Sequence, residues 1–212
     1  MIRIMIVDDH EFVRIGLRHI LEEYSDFELA AEACNGEMAL RLNHECRPDV
    51  VLLDVELPGL SGFEVTRRLK ASNSRQHVIA LSSRHQSPYP EKLLDAGASG
   101  YLTKGCPAIE LVRAIRRVVS GERYISADIA QQLALQMTRG EGASPFDELS
   151  AREMEVLLMV AEGRRIADIA DVMHLSPKTV ATYKYRIYDK LETRNDVNVT
   201  RMAMRYGLVA AA

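Results

Sequence analysis

The chain has 212 residues, 47% of them hydrophobic and 27% charged, which is typical of a globular protein with room for two small domains. No apolar run approaches the roughly 18 residues of a membrane span, and the first residues are too acidic for a signal peptide. Three scattered cysteines, Cys34, Cys46 and Cys106, lack metal-ligand spacing and favour reduced thiols in the core. We therefore expect a cytoplasmic protein without contact to membranes.

The net charge of −3 is unevenly distributed along the chain. Residues 1–120 carry 15 basic and 17 acidic side chains, a net charge of −2. Residues 176–205 carry seven basic and three acidic side chains, a net charge of +4. This asymmetry indicates that only the end of the chain meets nucleic acid.

In residues 1–121, five strand-like segments alternate with five helix-like segments. The strands are short and mainly apolar, as in IRIMIV, VVLLD and HVIALS, and the helices show amphipathic spacing, as in EFVRIGLRHILEE. Strict alternation of this kind predicts an α/β domain with a five-stranded, doubly wound parallel sheet. We expect the flavodoxin-like strand order 2-1-3-4-5.

The remaining chain is predicted to be a linker and an all-helical domain. Residues 122–145 form the linker, with one helix in SADIAQQLALQM and a flexible tether in TRGEGASP. Residues 146–212 are predicted to form four helices, the last ending at Gly207. A capping box of Ser150 and Glu153 marks the first of them, and Ser176 followed by Pro177 marks the third.

Three carboxylates, Asp8, Asp9 and Asp54, follow predicted strands one and three. In the expected strand order the ligand crevice lies between these two strands, so the three side chains should converge. Carboxylates this close repel one another and favour a hard divalent cation, most naturally Mg²⁺. With Lys104 at the end of strand five, such a site is suited to accept a phosphoryl group.

The segments VDDHE, LLDVELPGLSG, ALSS and AGASGYLTK resemble the receiver domain of two-component response regulators. The resemblance implies that Asp54 is the phosphoacceptor. It further implies direct Mg²⁺ ligation by Asp9 and Asp54, water-mediated ligation by Asp8, and ligation by the backbone carbonyl of Glu56. It also implies that Ser82 is the switch hydroxyl, that Tyr101 is the switch aromatic residue, and that Lys104 is the cation that pairs with the phosphate. Gly105 stands where many receivers have a cis proline.

The helix predicted from Pro177 to Leu191 has two different faces. At 100° per residue, Val180, Ile187 and Leu191 share one face, and the opposite face is polar and basic. A short preceding helix and the turn MHLS complete the pattern of a helix-turn-helix, whose second helix would enter the major groove. A helical bundle with a solvated face is the alternative that composition alone allows.

The segment from LSAREMEVLLMVAEG to YKYRIYDKL resembles the LuxR-type helix-turn-helix. Together with the receiver it makes the chain similar to the NarL/FixJ class, and YKYR and SGERYISADIAQQLA are closest to its GacA/UvrY branch. The resemblance implies that the last helix mediates dimerisation, including Val199 and Met202, although these residues can equally belong to the domain core. The implied DNA contacts are base reading by Ala181, Thr182 and Tyr185 and phosphate contacts by Lys178, Thr179 and Lys190.

These observations together predict a phosphorylation-activated transcription regulator that binds double-stranded DNA. The resemblance implies a sensor histidine kinase of the GacS/BarA hybrid type as partner and a homodimer, formed on phosphorylation, on an inverted repeat. The only expected catalysis is the receiver's own phosphoryl transfer and autodephosphorylation. One rival is a haloacid-dehalogenase-type phosphatase, which needs an aspartate where Glu56 stands. The other is a phosphorylation-independent regulator that uses its receiver only as a dimerisation scaffold.

Overall fold

The computed structural model describes residues 1–82, 89–131, 134, 145–146, 148–206 and 208–209. Residues 1–82 and 93–131 form one compact unit around a sheet, and the described residues among 86–92 and 132–212 form a second, helical unit. Within the described part of the chain, no helix is both long enough and apolar enough to cross a bilayer. The three cysteines form no disulfide and are half-buried rather than core residues.

The first unit contains a parallel sheet with the strand order β2-β1-β3-β4-β5-β6. Its first five strands have the predicted order, and the predicted parallel α/β fold is confirmed. Val7 of β1 lies opposite Leu53 of β3, so the residues that follow them reach the same edge of the sheet. The strands are β1 (Ile2–Val7), β2 (Phe27–Ala33), β3 (Val50–Asp54), β4 (His77–Ser82), β5 (Gly100–Thr103) and β6 (Tyr124–Ile125).

The sixth strand is a difference from the five that were predicted. Gly121 has a φ of +90°, which ends the preceding helix and lets the chain turn back along β5. The amide of Tyr124 donates to the carbonyl of Ser99 at 3.0 Å, and that of Ser126 donates to Tyr101 at 3.2 Å. A two-residue strand is too short to show the alternation from which strands are predicted. The predicted linker therefore begins as an edge strand.

Five described helices alternate with the strands along the chain, and residues 89–92 of the fourth group with the second unit. Side-chain caps begin two of them, since Asn35 accepts the amide of Met38 and Ser61 accepts that of Glu64. The central strands supply a core of fully buried aliphatic side chains, among them Ile4, Leu52 and Ile79. The helices are α1 (Glu11–Glu22), α2 (Gly36–Cys46), α3 (Gly62–Ser72), α4 (Tyr89–Asp95) and α5 (Ala108–Val119).

The second unit is all-helical, as predicted. Both halves of the capping box are present at its first helix, where Ser150 and Glu153 each bond the other's backbone amide. His174, with a φ of +53°, makes the tight turn between the two helices of the predicted helix-turn-helix. The helices are α6 (Ala151–Ala161), α7 (Ile166–Met173), α8 (Pro177–Lys190) and α9 (Asp196–Arg205). Val180, Ile187 and Leu191 are buried, as the helical periodicity predicts.

Only part of the predicted linker can be compared with the structure. Residues 127–131 are helical, and Ile129 among them is buried. Most of the predicted linker helix beyond residue 131 lies outside the described residues, as do nearly all of the tether and the predicted helix end at Gly207. The domain boundaries at residues 121 and 146 stay predictions.

Candidate functional site

Two buried carboxylates and one ammonium meet at the carboxyl edge of the sheet. Asp8 directly follows β1 and Asp54 ends β3, and both have 0% of their surface exposed. Lys104, which follows β5, places its Nζ 2.9 Å from Oδ2 of Asp8 and 2.8 Å from Oδ2 of Asp54. Its backbone amide donates to the carbonyl of Ser82 at 2.9 Å. The ammonium thus bridges two carboxylates on neighbouring strands.

Asp9 and His10 form the open side of this cluster. His10 Nδ1 lies 2.7 Å from Asp9 Oδ1 and 3.3 Å from Asp8 Oδ1, and the His10 amide donates to Asp8 Oδ1 at 2.8 Å. One potential ligand atom from each of Asp8, Asp9, His10 and Asp54 lies within 4.8 Å of the others. His10 is not among the predicted site residues, and its place beside Asp9 was the only signal for it.

The charges at this edge do not balance. Burial raises the pKa of Asp54 above its ordinary value, although Lys104 and the amide of Glu56 act in the opposite direction. Burial alone would lower the pKa of Lys104, but Asp54 and Asp8 together outweigh it, so the pKa rises. Three carboxyl groups, those of Asp8, Asp9 and Asp54, lie at this edge together with the ammonium of Lys104. Carboxylate oxygens are the ligands that Mg²⁺ prefers, so the donor set fits the predicted metal.

The loop after Asp54 is packed against the sheet. Its apolar side chains Val55, Leu57 and Leu60 are buried. A Cβ on Gly62 would lie 2.8 Å from the Cα of Val55, so only glycine allows α3 to begin this close to the loop. The amide of Glu56 donates to Oδ1 of Asp54 at 3.0 Å, which fixes the carboxylate. Metal ligation by the Glu56 carbonyl stays a prediction.

The two predicted switch residues lie on adjacent strands. Ser82, the last residue of β4, pairs with Thr103, and Tyr101 of β5 pairs with Ala80 on one side and Ile125 on the other. Both Ser82 and Tyr101 are fully buried. The Tyr101 side chain thus lies in the core of the sheet. Their switching roles stay predictions.

Gly105, the departure from the common receiver pattern, is surrounded by open space. A Cβ at this position would meet no atom within 4 Å. The described residues therefore leave room for a Cβ at position 105.

The exposed face of α8 carries most of the predicted DNA contacts. Lys178, Ala181, Thr182 and Tyr185 are exposed, and 73% of the Tyr185 surface is accessible. Thr182 Oγ1 donates to the carbonyl of Lys178 at 2.9 Å, within the helix. Thr179 belongs to the cap, with its hydroxyl 2.8 Å from that of Ser176. These four exposed residues present one face of a helix to solvent.

Lys190 is placed differently from the other predicted contacts. Its Nζ lies 2.7 Å from Oε2 of Glu153 and donates to the carbonyl of Glu148 at 2.9 Å. Burial would raise the pKa of Glu153, but Lys190 and Ser150 outweigh it and lower the pKa. Lys190 thus links the end of α8 to the start of α6 through an ion pair and a hydrogen bond. A phosphate contact by Lys190, which stays a prediction, has to compete with this ion pair.

The predicted dimer surface on α9 needs a correction. Val199 is completely buried, like Ala203 one turn later, so its side chain belongs to the core of the helical unit and its assignment to the dimer surface is wrong. Met202 is half-buried. Val197, by contrast, is 67% exposed. A cavity of about 340 Å³ lies beside it, lined by residues that include Val160, Arg164 and Met204.

The family of the chain follows from comparison with known proteins. Residues 4–116 match the response regulator receiver domain, and residues 147–203 match the luxR family of bacterial regulatory proteins. The response regulator GacA of Pseudomonas aeruginosa is 45% identical over 213 residues, which cover 100% of both chains. The response regulator UvrY of Escherichia coli is 44% identical over 212 residues, which cover 100% of this chain and 97% of UvrY.

A solved structure shares the whole fold. RcsB of Salmonella enterica, bound to a promoter in the presence of the phosphomimetic BeF₃⁻, has a TM-score of 0.73. It is 22% identical and covers 95% of this chain and 98% of its own, which shows similarity of fold. With the full-length matches to GacA and UvrY, the chain belongs to the two-component response regulators of the LuxR-type class, which are phosphorylation-activated regulators of transcription.

Proposed function

We propose that Asp54 is the residue phosphorylated in this response regulator, with a sensor histidine kinase as donor. The bridging of Asp8 and Asp54 by Lys104, at 2.9 and 2.8 Å, carries this proposal. A carboxylate oxygen of Asp54 forms the new P–O bond while the P–N bond of the kinase phosphohistidine breaks. The Lys104 ammonium then pairs with the oxygens of the phosphoryl group, as such cations do in other phosphoryl-transfer sites.

The metal that we propose for this site is Mg²⁺, held by Asp8, Asp9 and Asp54. It would neutralise charge on the transferring oxygens. His10, with its Nδ1 2.7 Å from Oδ1 of Asp9, holds that carboxylate at the open side of the cluster. Asp54 itself is kept in place by the Glu56 amide, so its nucleophilic oxygen has one orientation before the donor arrives.

The proposed reaction is tested with acetyl phosphate and Mg²⁺. We expect one labelled phosphoryl group per chain, lost in Asp54→Asn and retained in Asp95→Asn, a control at an exposed aspartate. Sustained turnover of small phosphate esters would instead support the phosphatase rival. That rival requires an aspartate general acid at the position of Glu56, and we propose that the chain has no catalysis beyond its own phosphoryl transfer and autodephosphorylation.

For the helical unit we propose sequence-specific binding of α8 in the major groove of double-stranded DNA. The exposed face with Lys178 and Tyr185 supports this, as does the fold shared with RcsB, which was solved on promoter DNA. We assign residues 1–121 to the receiver, 122–145 to the linker and 146–212 to the DNA-binding domain. The chain divides into its two compact units between Gln131 and Gln132, inside the proposed linker, which supports two domains joined there.

We further propose a cytoplasmic regulator that dimerises on an inverted repeat after phosphorylation by a GacS/BarA-like kinase. The full-length similarity to GacA and UvrY supports the kinase type. The exposed Val197, with the half-buried Met204 on the same side of α9, is the dimer surface proposed in place of Val199. A gel shift on genomic fragments, with and without phosphodonor, tests the whole proposal. Equal DNA affinity in both conditions would favour the phosphorylation-independent rival.

A further inference from the structure

A small polar cluster joins the recognition helix α8 to the start of α9. Lys184 Nζ lies 2.7 Å from Oδ2 of Asp196, and the Tyr188 hydroxyl donates to Oδ1 of the same carboxylate. The ammonium also lies 5.7 Å from the centre of the Tyr188 ring. Lys184 and Tyr188 are one helical turn apart, so a single carboxylate holds two neighbouring side chains of α8.

We infer that Asp196 is a positioning residue for DNA recognition, which withdraws Lys184 from the DNA and fixes α8 to α9. The inference rests on the proposed binding of α8 in the major groove. At 100° per residue, Lys184 lies on the flank between the buried face and the exposed face with Tyr185. From that flank a released lysine can reach a backbone phosphate, because its stem is long and flexible.

The helix cap shows that Asp196 is available for this task. The side chain of Asn195, not that of Asp196, caps α9 by accepting the amide of Asn198 at 2.9 Å. Burial would raise the pKa of Asp196, but its bonds with Lys184 and Tyr188 outweigh it and lower the pKa. Burial and Asp196 both raise the pKa of Tyr188. A lowered pKa of Asp196 and a raised pKa of Tyr188 are the directions expected when the Tyr188 hydroxyl donates to the Asp196 carboxylate.

The consequence is a lower affinity for DNA of every sequence. Phosphate contacts strengthen binding to every sequence alike, whereas base contacts discriminate. A lysine held back by Asp196 adds nothing to non-specific binding. Loss of the carboxylate should therefore raise affinity for random and target DNA by similar factors.

The test measures how DNA affinity of the phosphorylated full chain depends on salt, for its genomic target and for a random duplex. We expect Lys184→Met to leave the slope of log K against log[salt] unchanged. Asp196→Asn should steepen the slope by up to about 0.9, the value of one phosphate contact, on both duplexes. The double variant Lys184→Met/Asp196→Asn should return to the wild-type slope, and Asp196→Glu should keep it.

Two results would overturn the inference. A slope that flattens by about 0.9 in Lys184→Met would show that the wild-type lysine already contacts phosphate. An unchanged slope in Asp196→Asn would show that the carboxylate restrains nothing. Lys184→Met alone decides the first point, so the inference stays testable even if Asp196→Asn does not fold.

A second readout separates this inference from the proposed function. Without DNA, titration of the Tyr188 phenol, assigned by difference from Tyr188→Phe, should show a pKa that falls in Asp196→Asn. Absence of that change would refute the contact itself. A chain that shows the change but binds no DNA would refute the proposed function instead.

Discussion

Replacing Asp54 with asparagine should stabilise the metal-free receiver. The carboxylate is completely buried, and burial raises its pKa above the ordinary value of 3.8. A raised pKa means that the neutral form favours folding below pH 3.8 and that this contribution is lost as the pH rises through the folded pKa. At pH 7 the charge of Asp54 therefore opposes folding, and a neutral amide of the same shape removes that cost.

The expected magnitude follows from the contacts that remain. Asparagine Oδ1 can still accept the Glu56 amide, and Lys104 keeps its contact with Asp8 at 2.9 Å. Replacing a buried charge while its partner stays paired is typically neutral or stabilising, so we expect a gain of about 1–2 kcal/mol in the free energy of unfolding. At a Mg²⁺ concentration about tenfold above its dissociation constant, the wild type should gain about 1.4 kcal/mol by mass action.

Hydrogen exchange of peptides that cover β1 and β3 measures the stability of the first unit alone. Without Mg²⁺, the amides of these peptides should exchange more slowly in Asp54→Asn than in the wild type. Added Mg²⁺ should slow their exchange less in Asp54→Asn than in the wild type. Asp95→Asn, at an exposed position, should match the wild type in both conditions. A destabilised Asp54→Asn with an undiminished response to Mg²⁺ would refute both the buried-charge reasoning and the assigned metal ligand.

Lys178→Ala should weaken binding to every DNA sequence alike and flatten the slope of log K against log[salt] by about 0.9. Tyr185→Ala should instead relax sequence preference, at a cost of about 1–3 kcal/mol in the free energy of binding to the target. Identical effects of the two variants on target and random DNA would contradict the groove assignment. Val197→Asp should abolish the dimer seen in sedimentation without lowering the free energy of unfolding. Val199→Ala, at a buried position, should lower the free energy of unfolding in urea by about 2 kcal/mol. The pKa of Glu153 is lowered from its ordinary value of 4.5, so its contribution to the free energy of unfolding should be lost as the pH falls below 4.5 through the lowered pKa. Glu153→Gln should remove this acid dependence from unfolding curves measured by circular dichroism.

The receiver pocket could be predicted because its residues sit at strand ends. Asp8 and Lys104 follow apolar strands, and Asp54 ends one, so the strand order alone brings the three side chains to the same edge. Their convergence needs no knowledge of side-chain packing. The two-residue strand β6 could not be predicted in this way, because its pairing depends on the turn at Gly121.

The apolar residues of α9 show that helical periodicity does not always predict which face of a helix is buried. Val197, Val199, Met202 and Met204 are spread around the helix, so the sequence allows either face to be the core. Which face is buried depends on the packing of α6, the helix against which α9 makes its main contact. The sequence therefore leaves both the dimer surface and the domain core open for Val199, and the structure places its side chain in the core.

The basic character of residues 176–205 overstates the charge that α8 offers to DNA. Four cations lie on this helix, but Lys184 pairs with Asp196 and Lys190 with Glu153, partners 12 and 37 positions away. Within the described residues, Lys178 and Arg186 are the α8 cations without an ion pair. At about 0.9 per phosphate contact, we expect these two cations to contribute about 1.8 to the salt slope of each protomer, against about 3.6 for all four. Charge counted along the sequence measures how basic the helix is, and the carboxylates that face it decide how much of that charge reaches the DNA.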